Sequence, residues 1–331
     1  MKFRVSPLST RLRLTLLLLA LSCVGVHAQQ SLNSNRAEYE KAVKLYESDD
    51  DAGAIEALKK VVHADRNDAD AWNLLGRAYY RSGEIWRAGD AFRQLVRLRP
   101  YATEAYAKIA FALILGGQNQ EAVTSARRAI ELGDQSVEPR YALAEASFRA
   151  GDYSKAVDQA DEALKISPGF GLALITRSMA LYFLDRYPES IAGLEDFLKL
   201  NPNDLDGDVW REQLRKLRLF DRRNNSPEAA AERSKTVFRG KDVTTKARVL
   251  EKPEPTYTEP ARKAGVTGTV VLRAVVSEAG EITDIFIWQP LSHGLNAKAI
   301  GAAKKIRFVP ATKDGQPVAM WIELQYNFNL Y

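Results

Sequence analysis

The chain has 331 residues, 46% of them hydrophobic and 27% charged, enough for two domains that each bury a core. Four positive charges of its formal +5 come from Lys2, Arg4, Arg11 and Arg13, so the remainder carries only +1 and lacks the basic field of a nucleic-acid-binding protein. Cys23 is the single cysteine, which excludes a disulfide framework within one chain.

The opening stretch joins basic residues, an apolar run from Leu14 to Val26 and the small-residue end Val26-His27-Ala28. That run is too short for a comfortable membrane span and fits a signal peptide over 1–28, cleaved after Ala28. An uncleaved anchor and lipidation at Cys23 are the two alternatives. The segment predicts an exported protein.

The next stretch is periodic. Ala54, Ala88, Ala122, Ala156 and Ser190 stand 34 residues apart, and each follows another small residue by 12: Ala42, Gly76, Ala110, Ala144 and Ser178. Small side chains at fixed spacing are what two closely crossing helices need. A third column, Asp49, Gly83, Gly117, Gly151 and Asp185, falls at the turn between the helices of each pair. A fourth, Arg66, Pro100, Asp134, Pro168 and Pro202, follows the second helix, where Pro breaks the ladder in three of the five copies.

The copy from Asp70 resembles the tetratricopeptide repeat. It carries Trp72, Leu75, Gly76, Tyr79, Ala88, Phe92 and Pro100 in the family's order. The resemblance covers about 35–204 and implies an α-solenoid of five helix pairs whose first helices line a concave surface. Aromatic residues recur on those helices at Tyr39, Tyr46, Tyr80, Tyr141, Phe148 and Tyr182. They are candidates for a peptide-binding groove, with packing between neighbouring repeats as the alternative. Residues 206–223 read as one further helix with a Trp210, Leu214, Leu217 stripe and a basic remainder, a cap over 205–223 for the solenoid.

A polar stretch, 224–247, reads as a linker with a short helix possible from Pro227 to Lys235. Thr258 then caps a short helix over Glu259 to Ala264 that ends at Gly265. Two alternating segments, Gly268 to Ser277 and Ile282 to Gln289, flank a turn at Gly280. A helix covers Asn296 to Ile306, Asp314-Gly315 makes a turn, and the last strand runs from Pro317 onward. Its even positions, Val318 to Leu330, are apolar or aromatic. The order predicts a small α+β domain over 248–331, a three-stranded antiparallel sheet with two helices.

Pro255-Thr-Tyr257, Glu259 to Arg262, Gly265 to Val270, Leu295 to Ile300, Arg307 to Ala311 and Asp314 to Val318 together resemble the TonB C-terminal domain. The resemblance implies a periplasmic location and an outer-membrane TonB-dependent transporter, or another envelope protein, as partner. An extended TonB-box segment of that partner would be added as a strand beside the last one. With the strands ordered 2-1-3, that last strand is expected to keep a free outer edge. Trp321, Glu323, Gln325, Asn327 and Asn329 on its solvent face are the candidate contacts. A membrane-anchored energy transducer and an adaptor for a non-transporter envelope partner are the alternative readings. The spacing of Ser22 and His27 and the absence of a long Pro-rich spacer set the chain apart from a TonB transducer.

No His pair, Cys set or acidic cluster has metal-ligand spacing, and no phosphate loop or nucleophile elbow occurs. The expectation is a non-enzyme without cofactor or small-molecule substrate.

Overall fold

The computed structural model describes residues 33–224 and 237–330. The expected signal peptide, Cys23 and the expected short helix at Pro227 to Lys235 lie outside the described residues. The chain forms two compact units that divide between Ser82 and Gly83.

The first unit holds three helices, α1 (33–47), α2 (Asp51–Ala64) and α3 (Ala69–Arg81). Asp50 and Asp68 cap α2 and α3 by accepting from the backbone N–H of Gly53 and Ala71. Arg81 ties the unit together. Its guanidinium stacks 3.8 Å above the centre of the Tyr46 ring and pairs with Asp49 and Asp51.

The second unit begins with α4 (Ile85–Leu98), α5 (Thr103–Leu115), α6 (Asn119–Glu131), α7 (Val137–Arg149), α8 (Tyr153–Ile166), α9 (Gly171–Phe183), α10 (Tyr187–Leu200) and α11 (Gly207–Asn224). Each packs on its neighbour in sequence, and α7 also packs on α5 and α9. The small-residue columns explain the close approach. Ala54, Ala88, Ala122, Ala156 and Ser190 are all buried, as are Ala42, Ala110, Ala144 and Ser178. All five members of the turn column have positive φ, from 60° at Asp185 to 81° at Gly83. That conformation is easy for Gly and tolerated by Asp, which accounts for the two residue types found there.

The C-terminal part contributes β1 (Val237–Phe238), β2 (Arg248–Glu251), α12 (Glu259–Ala264), β3 (Gly268–Val276), β4 (Ile282–Gln289), α13 (Leu295–Ala303), β5 (Arg307–Val309), β6 (Ala311–Lys313) and β7 (Gln316–Phe328). As expected, Thr258 caps α12 and Gly265, at φ +71°, ends it. The three expected strands form the centre of the sheet, ordered β7-β3-β4 and antiparallel throughout. The β3–β7 register runs from Gly268 opposite Phe328 to Val276 opposite Met320. Met320, Leu324, Tyr326 and Phe328 close the inner face with Val270, Leu272, Ala274 and Val276.

The sheet is larger than expected. β1 joins β7 in parallel at Ala319 and Met320, so the expected linker ends inside the fold. β6 forms a hairpin with β7 across Asp314 and Gly315, both at positive φ. β2 and β5 pair separately. These segments have two to four residues each, too few to display a period. The last strand also stops earlier than its alternation suggested. Leu330 is 39% exposed, because β3 offers no residue opposite anything past Phe328.

Candidate partner-binding site

The odd residues from Trp321 to Asn329, along β7 and just past its end, turn their side chains to solvent. Trp321, Glu323, Gln325, Asn327 and Asn329 are all exposed, Trp321 at 38%. They are not idle on that face. The Trp321 ring lies 6.1 Å from that of Phe286, Gln325 donates to Glu323, and Thr269 donates to Asn327.

The outer edge of β7 was expected to be free along its length. It is not: β1 pairs with Ala319 and Met320, and closes the outer edge there. Among the described residues, no strand pairs with that edge from Trp321 to Phe328. Lys252 donates its ammonium to the Gln325 carbonyl over 2.8 Å and rests 4.7 Å above the Tyr326 ring. In an antiparallel ladder, alternate residues direct both backbone groups the same way. The residues sharing Gln325's outward direction are therefore Trp321, Glu323 and Asn327. Behind this edge, burial pushes the Tyr326 hydroxyl up to about 12.

The other edge of the sheet is closed by side chains of α11. Gln213 accepts from the Ile287 N–H at 3.2 Å, and Lys216 donates to the Ile285 carbonyl at 2.7 Å. Burial holds the Lys216 ammonium below its ordinary range. The sequence placed Lys216 on a solvated basic face; it is instead half-buried against the sheet.

The candidate groove residues divide between the two units. Tyr39, Tyr46 and Tyr80 lie half-buried in the first, Tyr46 beneath Arg81. In the second, Tyr141 and Phe148 are 3% and 5% exposed. Tyr141 packs edge-on against Phe111 and Phe170, while Phe148 packs against Tyr153 and Phe183. Tyr182 meets Phe183 at 5.5 Å. Tyr141 and Phe148 thus follow the packing alternative rather than an open groove, and Tyr182 is met by the C-terminal part. Trp288 of β4 stands edge-on to Phe183 at 4.6 Å and to Tyr182 at 6.0 Å, with the Arg273 guanidinium 3.6 Å from the centre of its ring.

The rest of this contact is polar. Thr267 donates its N–H to the Leu115 carbonyl and its hydroxyl to the Gly116 carbonyl. A cavity of about 40 Å³ is lined by Tyr141, Glu145, Arg149 and Thr176 on the helical side and by Leu291 and His293 on the other. Glu145, paired with Arg149 at 2.8 Å, also accepts from the Thr176 hydroxyl.

Asp206, 3% exposed, is the most constrained group. Helix α13 begins after Gly294, which has no side chain with which to cap it. Asp206 supplies the cap from the turn before α11. It accepts from Ala297 N–H at 2.9 Å, Gly294 N–H at 3.1 Å and the Asn296 amide at 3.0 Å. Burial raises its carboxyl to about 6 against the pull of these donors, with neighbouring Asp204 adding to the rise. Sequence reasoning passed over Asp206, Gln213, Thr267 and Trp288. The one available signal was Gly294 standing where a helix wants a capping side chain.

Comparison with known proteins agrees with this architecture. Residues 253–330 match the family model described as Gram-negative bacterial TonB protein C-terminal, and residues 39–103 and 112–169 match the tetratricopeptide repeat model. Anaphase-promoting complex subunit 7 of Homo sapiens is 25% identical over 141 residues, 43% of this chain and 25% of that protein. The chain thus spans about a quarter of the length of the curated relatives it matches. Among solved structures, MamA protein is 25% identical, with a TM-score of 0.43 over 51% of this chain and 92% of its own. YrrB, a TPR protein with an unusual peptide-binding site, is 17% identical, with a TM-score of 0.42 over 53% and 90%. Both matched families are protein-interaction modules. The chain therefore carries tetratricopeptide repeats followed by a TonB C-terminal domain.

Proposed function

We propose that this is an exported interaction protein of a Gram-negative-type envelope, whose TonB-like sheet takes up an extended TonB-box segment of an outer-membrane transporter. The carrying observation is the edge of β7 from Trp321 to Phe328, unpaired by any described strand and bordered by exposed side chains of one parity. Strand addition there draws affinity from backbone hydrogen bonds and selectivity from alternate side chains. The sheet admits an incoming strand on this side only, because α11 occupies the β4 edge. The leader over 1–28 supports export to the periplasm, and the repeats supply a scaffold for protein partners.

The test is calorimetric titration of a TonB-box peptide into the purified chain. Proline at Trp321, Glu323, Gln325 or Asn327 removes one outward N–H each, a loss of about tenfold in affinity. The melting temperature should stay put. Proline at Ile322 or Leu324 instead breaks the β3 ladder and lowers it. Unchanged affinity in all four outward variants rejects the edge. N-terminal sequencing from fractionated cells decides the location: a soluble chain beginning at Gln29 supports export, and an intact leader in the membrane fraction identifies an anchored transducer.

A further inference from the structure

The helical face formed by α5, α7, α9 and the start of α11 would be the natural seat of a repeat ligand, yet in this chain it is filled. The loop before β3, strand β4 and the loop into α13 all bear on it, through Thr267, Trp288 and the Asp206 cap. The filling mixes apolar groups such as Leu115, Val266, Leu291 and Trp288 with polar ones. It holds hydrogen bonds from both side chains and backbone, a charged pair, a cavity and a buried carboxylate. Contacts between domains of one chain that carry this much polar bonding resemble transient interfaces, for which relative motion is the default.

We propose that this helical face is a binding surface occupied in cis by the chain's own TonB-like domain, and that the domain docks and releases as one body. In the docked state no external ligand reaches the face. Release uncovers it and also frees the backbone of β4, where Ile285 and Ile287 lose the side chains of Lys216 and Gln213. A ligand of the repeats must therefore displace the domain, and binding at the helical face is coupled to the opening of a second strand edge. The inference goes beyond strand capture at β7, which is two strands away from the β4 edge that α11 closes.

Amide hydrogen exchange on the full chain tests it. Four backbone N–H groups cross the contact: Thr267, Ile287, Gly294 and Ala297. In the unaltered chain they should exchange through one shared opening, faster than the β3 amides of Val270 and Leu272. Trp288→Ala touches none of the acceptors of these four, yet it should accelerate all four together by at least about tenfold, as should Asp206→Ala, with Val270 and Leu272 unchanged. Acceleration only at the amides next to each substitution overturns the proposal, since the contact would then fray piecemeal. Four rates in the unaltered chain that match those of β3 also overturn it, because helices and sheet would open only by global unfolding. No acceleration in either variant does the same.

Discussion

At the scale of single residues, Asp206 has the most direct consequence for pH. Its carboxyl titrates near 6 in the folded chain against an ordinary 3.8. A carboxyl raised on folding binds its proton more tightly in the folded state. Its contribution is therefore full below about 3.8 and lost as the pH rises through about 6, a loss of roughly 3 kcal/mol at most. The groups around it, Asp204, Asn296 and the N–H groups of Gly294 and Ala297, modulate that value without reversing its direction. Asp206→Asn removes the titration and sets an amide NH₂ among N–H donors. Urea titrations from pH 4.5 to 7.5 should show the unaltered chain losing stability relative to this variant over that window. At pH 5 the variant should be weaker by about 1–3 kcal/mol, the cost of an unsatisfied buried group.

At the scale of elements, two turns are fixed by glycine. Gly280 has φ +79°, and a Cβ there would stand 2.4 Å from the Phe308 carbonyl oxygen. Gly280→Ala should therefore destabilise by about 2 kcal/mol or more, read as a lowered melting temperature. Gly315, with φ +79° but open space around it, should cost only about 1 kcal/mol on the same change. The helices obey a volume rule instead. Ala144 and Ala156 are fully buried in the small-residue columns, so leucine at either should cost about 1–3 kcal/mol by overpacking. A melting temperature unchanged by Ala144→Leu would mean that the columns do not set the helix spacing.

At the scale of the whole molecule, the docked contact makes distant residues interdependent. Asp206 and Trp288 hold different parts of one interface, so losing either weakens the same docked state. The double variant Asp206→Ala/Trp288→Ala should destabilise less than the two singles added together, by about 1 kcal/mol. Additive effects in urea denaturation would place the two residues in independent structures.

Much of this was legible beforehand. The repeat period, the positive-φ turn column, the Thr258 cap, the Gly265 stop and the two long antiparallel strands were written in local spacing, because each depends on residues a few positions apart. The short strands β1 and β6 were not legible, since their pairing is decided by the neighbour they meet. Nor was the fate of the aromatic column. Tyr141, Phe148 and Tyr182 satisfy a groove and a core equally well in sequence; the rings of neighbouring helices decide the first two and Trp288 the third. Lys216 reads as one cation of a solvated face until Ile285 is found beside it.

The sequence by itself determined the five-copy helical period, the α+β order of the C-terminal domain and the parity of its last strand, because hydrophobic periodicity and turn chemistry are local properties. Only the tertiary structure decided which edges and faces stay open. A strand edge or a helix face is closed by whatever lies opposite it, and here residues 69 to 91 positions away in the chain do so: α11 against β4, and Asp206 against the start of α13.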